Sequence, residues 1–306
     1  MKTSILTTAA LIAPLIYAAP VDLDARQTRS RQLIESNLFP VLQRYTKFAA
    51  ASLATFVFGL GNCPTPPFRS RLVVKINNIL TDTQVAVFQD DVAKEFIVSF
   101  PGSSSVQDFV TDLNFPLTPF TSAPGCNGCR VHQGVLFGWR SVQGDLTKAL
   151  SRLRAQHGDY STVVVGHSLG GGLASIAYTD LKANGVPISA AYTMGSLRVG
   201  NPAYADFTDS LSGASDSQIG NFFRITHNTD GVPNLPTNAM GFQHTRTEFY
   251  QLDDASGTQT AATTFRCYGQ EAPDCSLSTA NGFINQDHLM YSGVVMVNGD
   301  TCNSTD

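Results

Sequence analysis

The segment Gly-His-Ser-Leu-Gly at 166–170 places a serine where its hydroxyl could act as a nucleophile. It follows the β-branched run Thr162–Val165, which predicts a buried strand, and it precedes an alanine-rich segment that predicts a helix from Leu169 to about Ala183. At a sharp turn from a strand into a helix, the serine side chain stands above the sheet and the flanking glycines prevent clashes. The first N–H groups of the helix would stabilise negative charge there. This arrangement predicts Ser168 as a nucleophile.

A serine hydroxyl is a weak nucleophile until a neighbouring base takes its proton, and the chain has six histidines. His288 is favoured because it comes last, in a loop before the apolar run Tyr291–Val297. Asp230 is the favoured acid because it follows the predicted strand Phe222–Thr226 in a turn-rich loop. It would hold one tautomer of His288 and stabilise the imidazolium. The chain order serine, aspartate, histidine is typical of α/β hydrolases.

The other five histidines have different predicted positions. His167 adjoins the nucleophile, so its side chain should point the other way. His157 lies at the polar end of a predicted helix, and His132 and His244 could pack near the site. His227 lies in the same turn as the favoured acid and cannot easily face it as well.

Strand-like and helical segments alternate along the chain, which favours a mostly parallel central sheet with helices on its faces. In such sheets, sites form at the carboxyl ends of the strands. A helix is predicted from Ser30 to Ala54, interrupted or kinked by Pro40. The further predicted elements are strands at Leu72–Ile76, Val85–Phe88, Glu95–Phe100 and Ala190–Met194, and an amphipathic helix that includes Val142, Leu146, Leu150 and Leu153.

Composition and charge indicate an ordinary globular protein that does not bind nucleic acid. The chain is 42% hydrophobic and 14% charged. Its 306 residues suffice for one large domain or at most two small ones, and we place a single domain at 32–306. The net charge is −4 and there is no run of lysine or arginine. Phosphate binding needs a concentrated basic surface, so nucleic acid is excluded as the main partner.

The first residues predict secretion. Lys2 precedes the apolar run Ile5–Ile16, and small residues follow it, which is typical of a signal peptide at 1–18. The polar stretch at 19–31 is a possible pro-segment. No later segment reaches the ~18 apolar residues of a membrane span, so no transmembrane segment is expected.

Six cysteines fit an oxidising compartment and allow fifteen pairings. The CNGC segment has no second CxxC and no clustered histidine nearby, so a tight disulfide is favoured over a redox or zinc motif. The predicted pairs are Cys126–Cys129, Cys267–Cys275 across another short loop and, by remainder, Cys63–Cys302. Asn303 begins a glycosylation sequon, which is consistent with secretion.

From about Cys63 to Cys302, the chain resembles the fungal class 3 lipases, a family that also includes feruloyl esterases. The resemblance implies an α/β-hydrolase fold with a short helical lid. The matching segments are Phe-Pro-Gly-Ser-Ser-Ser at 100–105, Cys-Asn-Gly-Cys at 126–129 with Val-His-Gln-Gly at 131–134, Gly-His-Ser-Leu-Gly at 166–170, Asn-Thr-Asp-Gly-Val-Pro at 228–233, Gly-Phe-Gln-His at 241–244 and Asp-His at 287–288.

The same resemblance implies the residues of the site. Ser168, Asp230 and His288 match the family's catalytic triad. Ser103 and the backbone N–H of Leu169 match its oxyanion hole, which binds the negative oxygen of the tetrahedral intermediate. This chemistry needs only these groups and water, so no metal and no organic cofactor are expected.

The family's lid helix corresponds to Ser105–Asn114. Asp112 matches a family position that supports the Ser103 hydroxyl when the lid opens. Pro101 stands where many members carry arginine, and Phe109 where many carry tryptophan. Four lid residues recur at the spacing of one apolar helical face, and they are Val106, Phe109, Val110 and Leu113.

These features predict a secreted serine carboxylic-ester hydrolase, in particular a triacylglycerol or acylglycerol lipase that works through an acyl-enzyme. We expect a monomer that binds a lipid surface transiently. One alternative is a feruloyl or related carbohydrate esterase, a branch of the family in which the lid is polar and fixed open. Another, of a different class, is a catalytically silent binding protein on a hydrolase fold.

Overall fold

The computed structural model describes residues 30–57, 63–102, 116–279, 284–297 and 299–303. Several predicted features lie outside these residues, namely the signal peptide at 1–18, most of the possible pro-segment, Ser103, Asp112 and the lid residues Val106, Phe109, Val110 and Leu113.

Among the described residues, helices and strands alternate between Gln133 and His227. The helices are α1 (Phe39–Val57), α2 (Gln133–Gln156), α3 (Leu169–Ala183) and α4 (Pro202–Ser212). The strands are β1 (Arg31–Leu33), β2 (Arg71–Asn78), β3 (Thr83–Asp90), β4 (Glu95–Phe100), β5 (Leu117–Pro119), β6 (Arg130–His132), β7 (Ser161–His167), β8 (Ala190–Met194), β9 (Phe222–His227), β10 (Glu248–Gln251), β11 (Thr264–Cys267), β12 (Met290–Tyr291) and β13 (Val294–Val295).

A nine-stranded sheet forms the centre of the described structure, in the order β1-β11-β10-β9-β8-β7-β4-β3-β2. The strands β4, β7, β8, β9 and β10 pair in parallel, and the outer strands are antiparallel. The predicted central parallel sheet with flanking helices is confirmed. The carboxyl ends of the parallel strands therefore share one edge, where a site is expected.

Two apolar cores, one on each face of the sheet, explain why the central strands are buried on both sides. Alternate residues of β7 point to opposite faces. Val164 packs with α2 and α3 residues such as Trp139 and Ile176, while Val163 packs with α1 residues such as Phe48. The β-branched run in β7 thus contributes side chains to both cores.

The N-terminal part of the described chain differs from the sequence prediction. The predicted helix from Ser30 begins only at Phe39, and Arg31–Leu33 instead pair with β11 as an edge strand. Pro40 does not interrupt the helix, because it lies in the first turn, where its missing N–H is not needed for a helical hydrogen bond.

Three disulfides join the pairs of cysteines that the sequence favoured: Cys63–Cys302, Cys126–Cys129 and Cys267–Cys275. The first links residues 239 apart in sequence and fastens the C-terminal segment beside α1. Asn303 is exposed, and its glycosylation stays a prediction. None of the described helices is long and apolar enough to cross a membrane.

Candidate active site

Ser168 lies at a sharp turn between β7 and α3 with a backbone conformation that is rare for serine, φ 58° and ψ −125°. A positive φ costs free energy outside glycine and persists only where the surroundings enforce it. Here the N–H of Ser168 donates to the carbonyl of Met194 at 2.9 Å, and the Ser168 carbonyl accepts from the N–H of Gly171 at 2.9 Å. The turn is thereby fixed between the next strand and the first turn of α3.

The two glycines of the pentapeptide are required by close backbone contacts. A Cβ atom at Gly166 would overlap the carbonyl of Gly170, and one at Gly170 would overlap the carbonyls of Phe100 and Pro101. The start of α3 is thus pressed against the end of β4. Glycine at both positions lets the chain turn tightly enough to present Ser168.

Asp230 and His288 form a buried hydrogen-bonded pair beside this turn. The Nδ1 of His288 lies 2.8 Å from Oδ2 of Asp230, and their side chains are 2% and 0% exposed. Asp230 follows β9, and His288 lies in a short 3₁₀ helix at Gln286–Leu289, immediately before β12. A buried carboxylate at Nδ1 fixes the histidine tautomer and turns Nε2 into the proton acceptor.

Tyr291 is a further member of the site that the sequence analysis missed. Its hydroxyl donates to Oδ2 of Asp230, and the N–H of Val232 donates to Oδ1 at 3.0 Å. Burial and the Asp230 charge raise the pKa of Tyr291 well above its usual value, so the hydroxyl stays a donor. These donors stabilise the ionised aspartate away from water. No sequence pattern indicated Tyr291, because its contact with Asp230 joins residues that are 61 apart in the chain.

The Ser168 Oγ and His288 Nε2 atoms are both buried, and neither has a hydrogen-bond partner among the described residues. A buried polar atom without a partner is uncommon and needs an explanation. The missing partners are explained if Ser168 is a nucleophile and His288 is its base, because each atom would then take part in the reaction and would not stabilise the fold.

His167 does not point away from the site as predicted. Its Nε2 lies 2.9 Å from the carbonyl oxygen of His288, and the two imidazole rings lie with centroids 4.6 Å apart. Burial and the neighbouring His288 lower the pKa of His167 to about 3, so the ring is neutral. The His167 side chain thus lies against His288, the partner of Asp230.

The other four histidines have structural contacts. His132 caps α2 and accepts from two backbone N–H groups, and His157 ends the same helix. His244 is buried and its Nε2 donates to the carbonyl of Pro233 at 2.6 Å. His227 bonds through Nδ1 to the carbonyl of Asp287 at 2.8 Å. Each of the four thus has a place in the fold, and that none of them is the base stays a prediction.

One group of possible metal ligands, formed by His227, Asp253 and Asp287, lies beside the site with ligand atoms within 4.8 Å of one another. Both carboxylates already accept hydrogen bonds. Asn228 donates to Asp253 at 2.7 Å, and the Thr229 N–H donates to Asp287 at 3.0 Å. These bonds tie the loops after β9 and β10 to the His288 segment.

Comparison with known proteins identifies the family. The family model described as lipase (class 3) matches residues 97–240. The secreted mono- and diacylglycerol lipase A of Penicillium camembertii is 32% identical over 263 residues, which cover 82% of this chain and 80% of the relative. The chain belongs to the class 3 lipases. The secreted alkaline triacylglycerol lipase of Penicillium cyclopium is 31% identical and covers 90% of this chain and 91% of the relative.

Solved structures agree with this family and confirm the α/β-hydrolase fold. The triacylglycerol lipase of Penicillium expansum matches with a TM-score of 0.73 and 29% identity, over 89% of this chain and 99% of that one. Another structure, described as a triacylglycerol lipase whose catalytic centre is a serine protease triad, matches with a TM-score of 0.75 and 28% identity, over 89% and 99%. The enzyme is a secreted carboxylic-ester hydrolase, as the sequence predicted.

The hydroxyl of Tyr291 gives a first prediction. Tyr291→Phe removes a donor from a buried carboxylate, so kcat should fall about tenfold, since a hydrogen bond to a charged group contributes about 1.5–3 kcal/mol. KM should change little because Tyr291 lies behind the Asp230–His288 pair. Steady-state kinetics on a dissolved p-nitrophenyl ester measures both constants. A change in KM with an unaltered kcat would contradict this role for Tyr291.

Proposed function

We propose that this lipase hydrolyses acylglycerols, with Ser168 as the nucleophile, His288 as the base and Asp230 as the residue that orients the base. The main support is the buried 2.8 Å contact between Asp230 and His288. It is joined by Ser168 Oγ, which lies at a turn of positive φ and has no hydrogen-bond partner among the described residues. Relatives named for mono-, di- and triacylglycerols support the choice of ester class.

In the first half of the reaction, His288 Nε2 takes the proton of Ser168 while Oγ attacks the ester carbonyl. The oxygen of the tetrahedral intermediate becomes negative. We assign its stabilisation to the backbone N–H of Leu169, the first residue of α3, and to Ser103. Each such donor contributes roughly 3 kcal/mol in comparable hydrolases. The imidazolium then gives its proton to the leaving alcohol, which departs and leaves an acyl group on Ser168.

The second half repeats the sequence with water as the nucleophile. His288 takes a proton from water as its oxygen attacks the acyl carbonyl, and then returns the proton to Ser168 as the fatty acid leaves. Asp230 stays ionised throughout, since its role is to hold Nδ1–H and stabilise the imidazolium. The same residues would act in both halves of the reaction, so a single substitution should slow both halves.

We also propose that the segment at 105–114 is a lid and that the enzyme, a monomer, binds lipid surfaces through it. Ser168 is 0% exposed, and movement of this lid would give an ester access to it. Opening would expose the apolar face of the lid, at a cost of roughly 25 cal/mol per Å². A lipid surface would cover that face and shift the population toward the open form.

The lid proposal predicts a response to an interface. The rate on tributyrin should rise as its concentration passes the solubility limit, and Phe109→Ser with Val110→Ser should flatten that rise. Activity on a fully dissolved ester should change little, because the triad is untouched. Rates measured across the solubility limit, with intact and substituted lids, provide the test.

The matched control is Gln107→Ser with Thr111→Ser on the polar side of the same segment, which should leave the rise unchanged. A hyperbolic rate curve without any response to the interface would contradict the lid proposal. If the enzyme also turned over methyl ferulate rapidly, the substrate would belong to the carbohydrate-esterase branch and not to acylglycerols.

For the whole chain, we propose a signal peptide at 1–18, a possible pro-segment at 19–31 and one domain at 32–306. Arg31 already pairs with Cys267 at the edge of the main sheet, so the folded domain begins close to this boundary.

A further inference from the structure

Two successive backbone carbonyls at the catalytic histidine each accept a hydrogen bond from a buried histidine ring. His227 Nδ1 lies 2.8 Å from the carbonyl oxygen of Asp287, and His167 Nε2 lies 2.9 Å from that of His288. A carbonyl oxygen can only accept, so each ring must carry its proton on the nitrogen that makes the contact. The mechanism proposed above uses neither ring.

The two rings belong to the segments that carry the other two members of the triad. His167 ends β7 and immediately precedes Ser168, while His227 ends β9, three residues before Asp230. Both residues are 2–3% exposed. The ring of Tyr291 packs edge-on against both imidazoles, at centroid distances of 5.8 Å and 5.9 Å. The three pieces of chain that supply the triad are thus joined through these histidines.

The segment that bears His288 has little regular structure to hold it. It is one 3₁₀ turn at Gln286–Leu289, followed by the two-residue strand β12. On its other side Asp287 and Asn285 bond to Thr229. A small shift of this main chain would move Nε2 away from Ser168, and positioning errors near 1 Å cost about a hundredfold in rate.

We propose that His167 and His227 are positioning residues that hold the main chain of His288 at the distance that proton transfer from Ser168 requires. The inference rests on the proposed triad. Each ring acts as a fixed N–H donor, one from the nucleophile's strand and one from the acid's strand. The carbonyls of residues 287 and 288 are therefore held from two directions at once.

The environment of His167 fits this role. Its ring lies against that of His288, which becomes positively charged in each half of the reaction. A second charge beside it would oppose proton transfer. Burial and the neighbouring His288 lower the pKa of His167 to about 3, so the ring stays a neutral donor at any pH where the enzyme is expected to work.

The test replaces each histidine by the amide residue whose side-chain nitrogen can occupy the position of the ring nitrogen that makes the contact. In His167→Gln the amide nitrogen reaches the position of Nε2, and in His227→Asn it reaches the position of Nδ1. His167→Leu and His227→Leu remove the donor and keep a buried apolar side chain. We expect each leucine variant to lose about a hundredfold in kcat with little change in KM, and the matched amides to restore most of the loss.

A second readout is the rate at which a fluorophosphonate labels Ser168, because labelling needs the base but no turnover. It should fall in parallel with kcat. His244→Leu is the control, since His244 is another buried histidine that donates to a carbonyl, that of Pro233, which is not part of the His288 segment. That variant should lower the melting temperature while keeping kcat and the labelling rate.

If a leucine variant does not fold, it is replaced by the variant with the other amide at that position, here called the exchanged amide: His167→Asn or His227→Gln. His167→Asn is too short to reach the carbonyl and His227→Gln carries its amide too far, so each should behave as a donor deletion. Equal kcat in matched and exchanged amides would overturn the proposal, as would leucine variants that behave like His244→Leu. Failure of the triad itself would look different, since Ser168→Ala would then remain active.

Discussion

Ser168→Ala is expected to lower kcat for ester hydrolysis by at least about a thousandfold, leaving only what binding and the oxyanion hole contribute. The fold should be unaffected. Among the described residues Ser168 Oγ has no hydrogen-bond partner, and alanine keeps the Cβ atom, so no packing is lost. Kinetics on a dissolved ester and a melting curve measure the two expectations.

The control for this variant is Ser175→Ala, two helical turns further along α3. Ser175 is buried and its hydroxyl contacts that of Tyr204 at 3.0 Å, so its loss should cost stability but not activity. If Ser168→Ala retained a tenth or more of the wild-type rate, the assignment of the nucleophile would be wrong.

His288→Ala should match the loss in Ser168→Ala, whereas His244→Ala should keep its activity. A nucleophile and its base act as one unit, so removing either abolishes the same step. His244 donates to the carbonyl of Pro233, and its removal should act on stability. Measuring kcat and the melting temperature for both variants separates the roles. An inactive His244 variant beside an active His288 variant would reverse them.

The elements around the nucleophile were predictable because their patterns are local. The bounds of β4, α3 and β8 agree with the prediction, since each is a mostly apolar segment that polar or turn residues follow. Strand β3 is longer than predicted at both ends, because it begins at Thr83 and continues through Gln89 and Asp90. Their polar side chains are buried, and Asp90 pairs with Arg44 of α1 at 2.7 Å, a contact no local pattern reveals.

The sequence predicted those parts of the candidate site in which a residue type has one plausible chemical role. The turn at Ser168 and the chain order of Asp230 and His288 follow from the chemistry that a serine nucleophile needs. The contact of Tyr291 with Asp230 spans 61 residues and depends on how two loops meet, so spacing could not predict it. The predicted orientation of the His167 side chain was wrong for a similar reason, since its ring contacts His288, which is 121 residues away in sequence.

The edge strand β1 was not predicted, because a segment of three residues is too short for its hydrophobic pattern to distinguish a strand from the start of a helix. Its pairing with β11 is a tertiary contact, and Ser30 to Leu38 contain no helix-breaking residue that would have separated them from α1.

Covalent labelling is the sharpest test of Ser168 as a nucleophile that His288 activates. The enzyme is treated with a fluorophosphonate, and the modified peptide is located by mass spectrometry. We expect one adduct per chain, on Ser168, that forms much more slowly in His288→Ala and is absent in Ser168→Ala. An adduct on another serine, or unchanged labelling of the Ser168→Ala variant, would contradict this role of Ser168.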